Sequence, residues 1–304
     1  MAVNRLDHAA IRVEDIGEAL VWYVDALGLT LLDRRDDQAH LTCRGDHADL
    51  TLVTGGRGPV SFAIGVDGPD DLDELEQRLT DHGVVHERVH QPLRPGTSVL
   101  TRFTLPTGHT IEYSVASDGR TAGETDLSWD GVSAAPTDID HINLLGDAAP
   151  SDVLSFLTEV VGFRYSGSVE HEGELDAIWT RGGRLDHDVA YMRAARPGDR
   201  LHHVAFAMAD SNHYARLGDR LADHGYMFEF GPGRHGGGYL GDSGFGSNLF
   251  AYAFDPSGNR NEFSGDMKTL ADDAVPVVQS SEQIDKVMNV WAKNMPESFI
   301  TIGS

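Results

Sequence analysis

Cysteine, lysine and long apolar runs are all scarce in this chain. Its 304 residues include one cysteine, Cys43, and three lysines. A single cysteine excludes an intrachain disulfide and favours a reducing cytosol. No apolar run approaches the roughly 18 residues that a membrane-spanning helix needs, and the N-terminus lacks the basic and apolar regions of a secretion signal. We therefore expect a cytoplasmic protein with no membrane partner.

Positive charge is also in short supply. The formal net charge is −24, from 48 acidic residues against 24 lysines and arginines. Nucleic-acid binding needs basic patches, so this charge excludes that class of function. An acid excess with few lysines favours a halophilic protein, because the ions of a salty cytosol screen the self-repulsion. An ordinary acidic surface is the alternative interpretation.

Internal similarity recurs along the chain. Residues 6–11 resemble 139–144, residues 78–83 resemble 220–225, and residues 105–112 resemble 255–262. Short apolar runs such as 50–54, 99–105 and 188–193 predict strands. Apolar residues at helical spacing, as at 16, 19, 20, 23 and 27, predict helices. Each half is thus predicted to hold two units of a strand, a helix and several strands, an α+β arrangement.

These repeats predict how the chain is divided. We expect one domain over residues 1–125 and a second over 137–265, joined by a polar linker within about 115–136. Residues 266–304 have no counterpart in the first half and are predicted to form a tail. A helix is predicted around 281–292, which would cover the site or an oligomer contact.

Three positions of the second half predict a metal site. His141, His203 and Glu262 lie at equivalent places of the repeat, each on a predicted strand. Two imidazoles and one carboxylate leave one face of a metal ion open, which suits non-haem Fe(II) and O2 chemistry. His202 adjoins His203, and neighbouring strand residues face opposite ways, so only one can be a ligand. The residues that follow favour His203.

The first half lacks a complete set of ligands. Its equivalent residues are His8, Ser61 and Glu112, and serine does not replace imidazole as a ligand of comparable strength. The sequence therefore predicts a ligand-poor N-terminal domain and a catalytic, metal-binding C-terminal domain.

Over residues 5–265 the chain resembles the vicinal oxygen chelate superfamily, whose glyoxalase-like fold pairs βαβββ modules into partly open barrels. More narrowly, it resembles type I extradiol dioxygenases of the catechol 2,3-dioxygenase kind. Three further residues carry this narrower resemblance. His187, which lies 16 residues before His203, matches the family's acid/base histidine. Tyr252, ten residues before Glu262, matches its active-site tyrosine, and His235 matches a substrate-contacting histidine. His235 and Tyr252 are 17 residues apart, more than in the family, and 236–246 is interpreted as an inserted Gly-rich loop.

The resemblance implies an enzyme of aromatic catabolism. Its cofactor would be Fe(II), with Mn(II) as the alternative, and its substrates a catechol and O2. Both oxygen atoms would enter the ring, which opens beside the two hydroxyl-bearing carbons to give a 2-hydroxymuconate-semialdehyde-type product. His187 would donate a proton, Tyr252 would bind a substrate oxygen and His235 would position the ring. A homo-oligomer, of the homotetramer kind, is also implied.

The sequence alone leaves several alternative functions open. The chain can be a dioxygenase that cleaves hydroquinones, a glyoxalase-like metalloisomerase, or a protein that binds a small aromatic molecule without chemistry. The ring substituent is also open, since Arg234, Arg260 and Lys293 are either carboxylate-binding residues or surface charges.

Overall fold

Two β-sheets, one from each half of the chain, form the framework of this computed structural model. It describes residues 3–90, 92, 94–117, 125–236 and 247–304. The predicted insertion at 236–246 lies, apart from Gly236, outside the described residues. None of the helices in the described ranges is long and apolar enough to span a bilayer.

The first sheet has eight strands in the order β2-β3-β4-β1-β5-β8-β7-β6. Its strands are β1 (Leu6–Val13), β2 (Thr30–Arg34), β3 (Gln38–Thr42), β4 (Leu50–Thr54), β5 (Gly58–Val66), β6 (His86–His90), β7 (Thr97–Thr104) and β8 (Thr110–Ala116). Helix α1 (Ile16–Leu20), which continues as a π-helical segment (Val21–Ala26), follows β1, and α2 (Pro69–Asp81) follows β5. The chain therefore runs twice through strand, helix and three strands.

The second sheet repeats this plan and adds one strand. Its strands are β9 (Asp138–Gly146), β10 (Arg164–His171), β11 (Glu174–Arg181), β12 (Val189–Arg193), β13 (Leu201–Met208), β14 (Phe230–Arg234), β15 (Leu249–Phe254), β16 (Arg260–Gly265) and β17 (Val277–Ser280). Helix α3 (Pro150–Ser155), with a π-helical segment (Phe156–Val161), follows β9, and α4 (Ser211–Asp223) follows β13. The order is β14-β15-β16-β13-β9-β12-β11-β10-β17. The predicted α+β fold of paired βαβββ modules is thus confirmed.

Strand register confirms the equivalence of the two halves. Ser61 lies opposite Ala10 across the antiparallel pair β1–β5, and His203 lies opposite Asn143 across β9–β13. Counting back two residues along β1 and β9 makes His8 the equivalent of His141. In the parallel pairs that follow, Ala63 faces Glu112 as Ala205 faces Glu262. The same three backbone positions are therefore available in both sheets.

Buried polar contacts join the two halves. The Arg5 guanidinium lies 2.9 Å from the Asp138 carboxylate. The Trp22 indole donates to the Asn261 side chain at 2.8 Å. The Tyr23 hydroxyl donates to Asp255 at 3.0 Å. Because Asn261 is the neighbour of Glu262, the first half braces the strand that carries the carboxylate.

The tail adds to the second sheet and then crosses back over it. Strand β17 pairs in parallel with β10, and a 3-10 turn (Ser281–Gln283) leads into α5 (Ile284–Val287). The helix predicted over 281–292 is wrong beyond Val287. The Val290 amide donates to the Arg234 carbonyl, and the Asn289 side chain accepts from the Trp291 amide. These contacts replace the bonds that would continue a helix. A last short helix, α6, spans Glu297–Thr301.

Candidate metal centre

Three adjacent strands bring the predicted ligands together. His141 is on β9, His203 on β13 and Glu262 on β16, and all three side chains are buried. The Nε2 atoms of the two histidines lie 3.2 Å apart. Glu262 Oε2 is 3.1 Å from His141 Nε2 and 3.0 Å from His203 Nε2. Three potential ligand atoms therefore form a small, nearly equilateral triangle.

The size of this triangle fits a divalent metal ion. Ligand atoms at about 2.1 Å from a metal and at right angles to one another are about 3.0 Å apart. The observed separations of 3.0 to 3.2 Å match this arrangement, in which the three ligands occupy one face of an octahedron. The opposite face stays open for other ligands, as in a 2-His-1-carboxylate site.

A neighbouring group orients each ligand. Asp140 Oδ2 lies 3.2 Å from His141 Nδ1 and can only accept, so that nitrogen carries the hydrogen and Nε2 is free for a metal ion. The Asn248 side-chain amide donates to Glu262 Oε1 at 3.0 Å, which leaves Oε2 to face the histidines. Such partners fix the tautomer and direction of a ligand.

His203 is oriented by its predicted competitor, His202. The His202 Nε2 atom lies 2.8 Å from the Phe299 carbonyl oxygen, so it carries a hydrogen. Burial, together with the nearby Arg260 guanidinium, holds the pKa of His202 well below its usual range, so the ring is neutral and its Nδ1 accepts. The 2.7 Å contact between the two Nδ1 atoms is then a hydrogen bond donated by His203. His203 Nε2 is left free to bind a metal ion.

The three side chains of the triangle differ in how their surroundings shift their pKa values. Burial lowers the pKa of His203 to about 4. His141 is buried too, but the Glu262 and Asp140 carboxylates more than offset this and raise its pKa to about 10. Burial opposes the charge of Glu262, yet the two histidines hold its pKa well below the usual range. We infer that a proton on His141 Nε2 lies between the two imidazoles and the Glu262 carboxylate. A divalent cation in the same place would bind all three atoms.

The three other predicted residues face the same cavity. His187 precedes β12, and its ring centroid lies 4.3 Å from that of His141. The Asp186 carboxylate is 3.0 Å from His187 Nδ1 and can only accept, so Nδ1 carries a hydrogen. Tyr252 on β15 is the direct cross-strand partner of Glu262.

His235 and Tyr252 form a second hydrogen-bonded pair. His235 Nδ1 donates to the Met288 carbonyl at 2.6 Å, so Nε2 accepts from the Tyr252 hydroxyl at 2.9 Å. Burial lowers the pKa of His235 to about 4, and burial with the charge of Glu262 raises the pKa of Tyr252 well above its usual range. Both side chains are therefore neutral near pH 7.

In the first half, an arginine occupies the equivalent place. Arg94 Nη1 lies 3.0 Å from His8 Nδ1 and 2.6 Å from Glu112 Oε2. The His8 Nε2 atom lies 2.7 Å from the Thr51 hydroxyl, and Ser61 stands where a second imidazole would be needed. A guanidinium thus supplies the positive charge between two of the three equivalent residues.

Comparison with known proteins places the fold and the site in a family. The model of the Glyoxalase/Bleomycin resistance protein/Dioxygenase superfamily matches residues 5–113 and 138–263, one match in each half. The chain belongs to this superfamily.

Relatives within the superfamily confirm the resemblance to type I extradiol dioxygenases. A metapyrocatechase of Pseudomonas sp. (strain CF600) is 28% identical and is aligned over 99% of this chain and 98% of its own. A manganese-dependent 2,3-dihydroxybiphenyl 1,2-dioxygenase of Geobacillus genomosp. 3 is 26% identical over 95% and 93%. The solved structure of the 2,3-dioxygenase LapB from Pseudomonas sp. KL28 has a TM-score of 0.81 and 26% identity, covering 93% of this chain and 99% of LapB.

In this superfamily member, the cavity beside the triangle has a volume of about 400 Å³. Its inner end holds the polar residues described above. Its outer part is lined by strands β10 to β12 and by the tail. The tail is held down by Arg260, which donates to the carbonyl oxygens of Ser298 at 3.0 Å and Ile302 at 2.9 Å and pairs with Glu229 at 2.6 Å. Arg260 is therefore a tail anchor and does not line the cavity.

Sequence reasoning missed several residues that support the site. Asp140 and Asp186 each stand directly before a histidine of the predicted site, and this Asp-His pairing was a signal that could have found them. Asn248 and Arg94 carry no such signal, because their partners are distant in the sequence. The tail side chains lacked a repeat partner, which left no comparison to draw on.

Proposed function

We propose that this chain is a non-haem Fe(II)-dependent extradiol dioxygenase that cleaves catechol or a substituted catechol. The observation that carries the proposal is the facial His141, His203 and Glu262 triangle, which shares one buried cavity with His187, His235 and Tyr252. A glyoxalase-like isomerase, or a protein that only binds its ligand, would not need His187, His235 and Tyr252 beside the metal ligands.

The metal ion would hold the catechol oxygens and O2 side by side, so that both reactants meet in a fixed orientation. His187 is suited to proton transfer, because Asp186 fixes its tautomer with Nε2 accepting and stabilises the charged ring. It would take a proton from the bound diol and return it to oxygen as the ring opens. The side chains at the inner end of the cavity are almost fully buried, which limits the contact of the reacting atoms with bulk water.

Tyr252 and His235 would position the substrate. The Tyr252 hydroxyl donates to His235, and its oxygen is free to accept a hydrogen bond from a catechol hydroxyl. His235 is itself fixed by the Met288 carbonyl and stacks on Phe250 with the ring centroids 3.9 Å apart. The pair thus presents one rigid polar edge to the cavity that His187 also lines.

The expected reaction adds both atoms of O2 to the catechol. The ring carbon–carbon bond beside the diol breaks, and the product is a 2-hydroxymuconate semialdehyde in which one former hydroxyl carbon has become a carboxylate. No external reductant is needed, since the catechol supplies all four electrons. Fe(II) is the proposed metal, and Mn(II) is the alternative because one relative is named as manganese-dependent.

The decisive test is metal loading followed by oxygen uptake. Purified protein in molar KCl is loaded anaerobically with Fe(II), Mn(II) or Zn(II), mixed with catechol and opened to air. A yellow product with one O2 consumed per catechol is expected with Fe(II) or Mn(II) and not with Zn(II). If the protein binds metal, consumes no O2 with catechols and cleaves hydroquinone, the proposal is wrong and the chain is a dioxygenase that cleaves hydroquinones.

A further inference from the structure

The outer part of the cavity is mainly apolar on both of its sides. Strands β10 to β12 and the tail each contribute, and the main side chains are Val169, Trp179, Met192, Ile284, Met288 and Phe299. Met288 joins two separate apolar clusters, one around Trp179 and one around Tyr252 and Phe299. A group attached to a catechol ring would leave the polar metal end and enter this apolar space.

The described cavity offers no unpaired cation to an anionic substituent. Arg234 pairs with Asp266 at 2.8 Å and donates to the Ser247 carbonyl, and Lys293 is exposed on the tail. Residues 237–246, outside the described ranges, contain neither lysine nor arginine.

Arg193 is the only arginine or lysine that lines the described part of the cavity. Asp176 lines it as well, and the carboxylate of the exposed Glu174 lies 3.9 Å from the Arg193 guanidinium. Arg193 is itself 44% exposed, so water screens its positive charge. A carboxylate on the substrate would gain little from this cation and would lose its water.

We propose that the cavity selects catechols with an uncharged alkyl or aryl substituent and rejects those with a carboxylate. Ile284, Met288 and Phe299 of the tail are the specificity-determining residues. This inference rests on the proposed ring-cleaving function and deepens it. Each methylene group that the substituent buries should tighten binding about fourfold.

The first experiment compares catechol, 3- and 4-propylcatechol and 3,4-dihydroxyphenylacetate on the Fe(II)-loaded protein. O2 uptake gives kcat/KM, and anaerobic titration gives the dissociation constant where no cleavage takes place. We expect one of the propylcatechols to exceed catechol by at least tenfold and the acid by at least 100-fold. If the acid equals or exceeds both propylcatechols, the inference is wrong while ring cleavage stands. If no diol is cleaved, the proposed function fails instead.

Variants test the assignment to the tail. Ile284→Arg places a cation in the apolar part of the cavity and should shift the ratio of acid to propylcatechol cleavage at least tenfold towards the acid. Val290→Arg is the matched control, because Val290 is an exposed residue of the same tail that does not line the cavity. Arg193→Gln should leave the ratio unchanged, and a selective loss of acid cleavage in this variant would show that Arg193 does recruit carboxylates.

Discussion

Four of the five histidines that line the cavity have one nitrogen whose hydrogen is assigned by an acceptor-only neighbour. Asp140, Asp186 and the carbonyl oxygens of Met288 and Phe299 fill this role for His141, His187, His235 and His202. The tautomers follow from these contacts, and they leave Nε2 of His141, His187 and His235 without a hydrogen in the neutral ring. The residues can therefore be tested one at a time for separate roles.

His187→Phe should separate proton transfer from metal binding. The aromatic ring keeps the packing against His141 and removes the accepting nitrogen, so metal content should stay unchanged and kcat should fall about 10²- to 10⁴-fold. Metal analysis and O2 uptake measure the two effects. His224→Phe, on an exposed histidine just after α4, is the matched control. Unchanged turnover in the His187 variant would remove this residue from the reaction.

His202→Phe should weaken metal binding through His203. The change leaves the His203 Nδ1 hydrogen without its acceptor, and loss of such a partner costs about 10- to 100-fold in metal affinity. His202→Gln, whose amide oxygen can accept, should recover part of the loss. Chelator competition and the visible spectrum of the Co(II)-loaded protein report on the site directly.

A buried histidine far from the site provides the control for His202. His213 on α4 is fully buried and bonds the Ala135 carbonyl. His213→Phe should lower the free energy of unfolding without changing metal affinity or the Co(II) spectrum. Equal losses of affinity in the two variants would mean that His202 acts only through general stability.

At the scale of the elements, strands β1, β5 and β8 repeat strands β9, β13 and β16 but enclose a guanidinium. Arg94→Met would leave the buried Glu112 carboxylate with only the half-exposed Arg102 guanidinium, 3.9 Å away, and we expect a loss of about 3–5 kcal/mol in the free energy of unfolding. Adding Glu112→Gln removes that charge and should recover most of the loss. Urea unfolding of the single and double variants measures the coupling.

Arg88 serves as the comparison for Arg94. It pairs with Asp73 and Glu76 at a more exposed position of the same domain. Arg88→Met should cost at most about 1 kcal/mol, as is usual for exposed ion pairs. If Arg94→Met costs no more than this, the guanidinium does not serve as a substitute for a metal ion.

The same strands mark what could be predicted from the sequence. The duplication supplied an internal alignment of the two halves. From it the strands, their succession along the chain and the triangle of ligands were all predictable. Arg94 was not, since it bonds His8 from 86 positions away and has no counterpart ligand. The tail was predicted poorly because contacts across the fold, such as the Val290 amide to Arg234, override its local helical pattern.

At the scale of the whole molecule, the charge of −24 should make stability depend on salt. Screening of self-repulsion is expected to raise the thermal midpoint, and a gain of about 2 kcal/mol would correspond to roughly 4–8 °C. Unfolding curves between low and molar KCl measure this. Most of the rise should come below about 0.5 M, where the screening length changes fastest. A midpoint that is flat or falls would contradict salt adaptation.

Four of the hydrogen bonds that attach the tail end on backbone carbonyl oxygens, which every residue type possesses. Arg260, His202 and His235 hold the backbone carbonyl oxygens of Ser298, Ile302, Phe299 and Met288. Its side chains are thus largely free to vary without releasing it from the sheet. Under the proposed function, changes at Ile284, Met288 or Phe299 would alter which ring substituent the cavity accepts and leave the metal ligands in place, which makes this segment the natural place for directed evolution to begin.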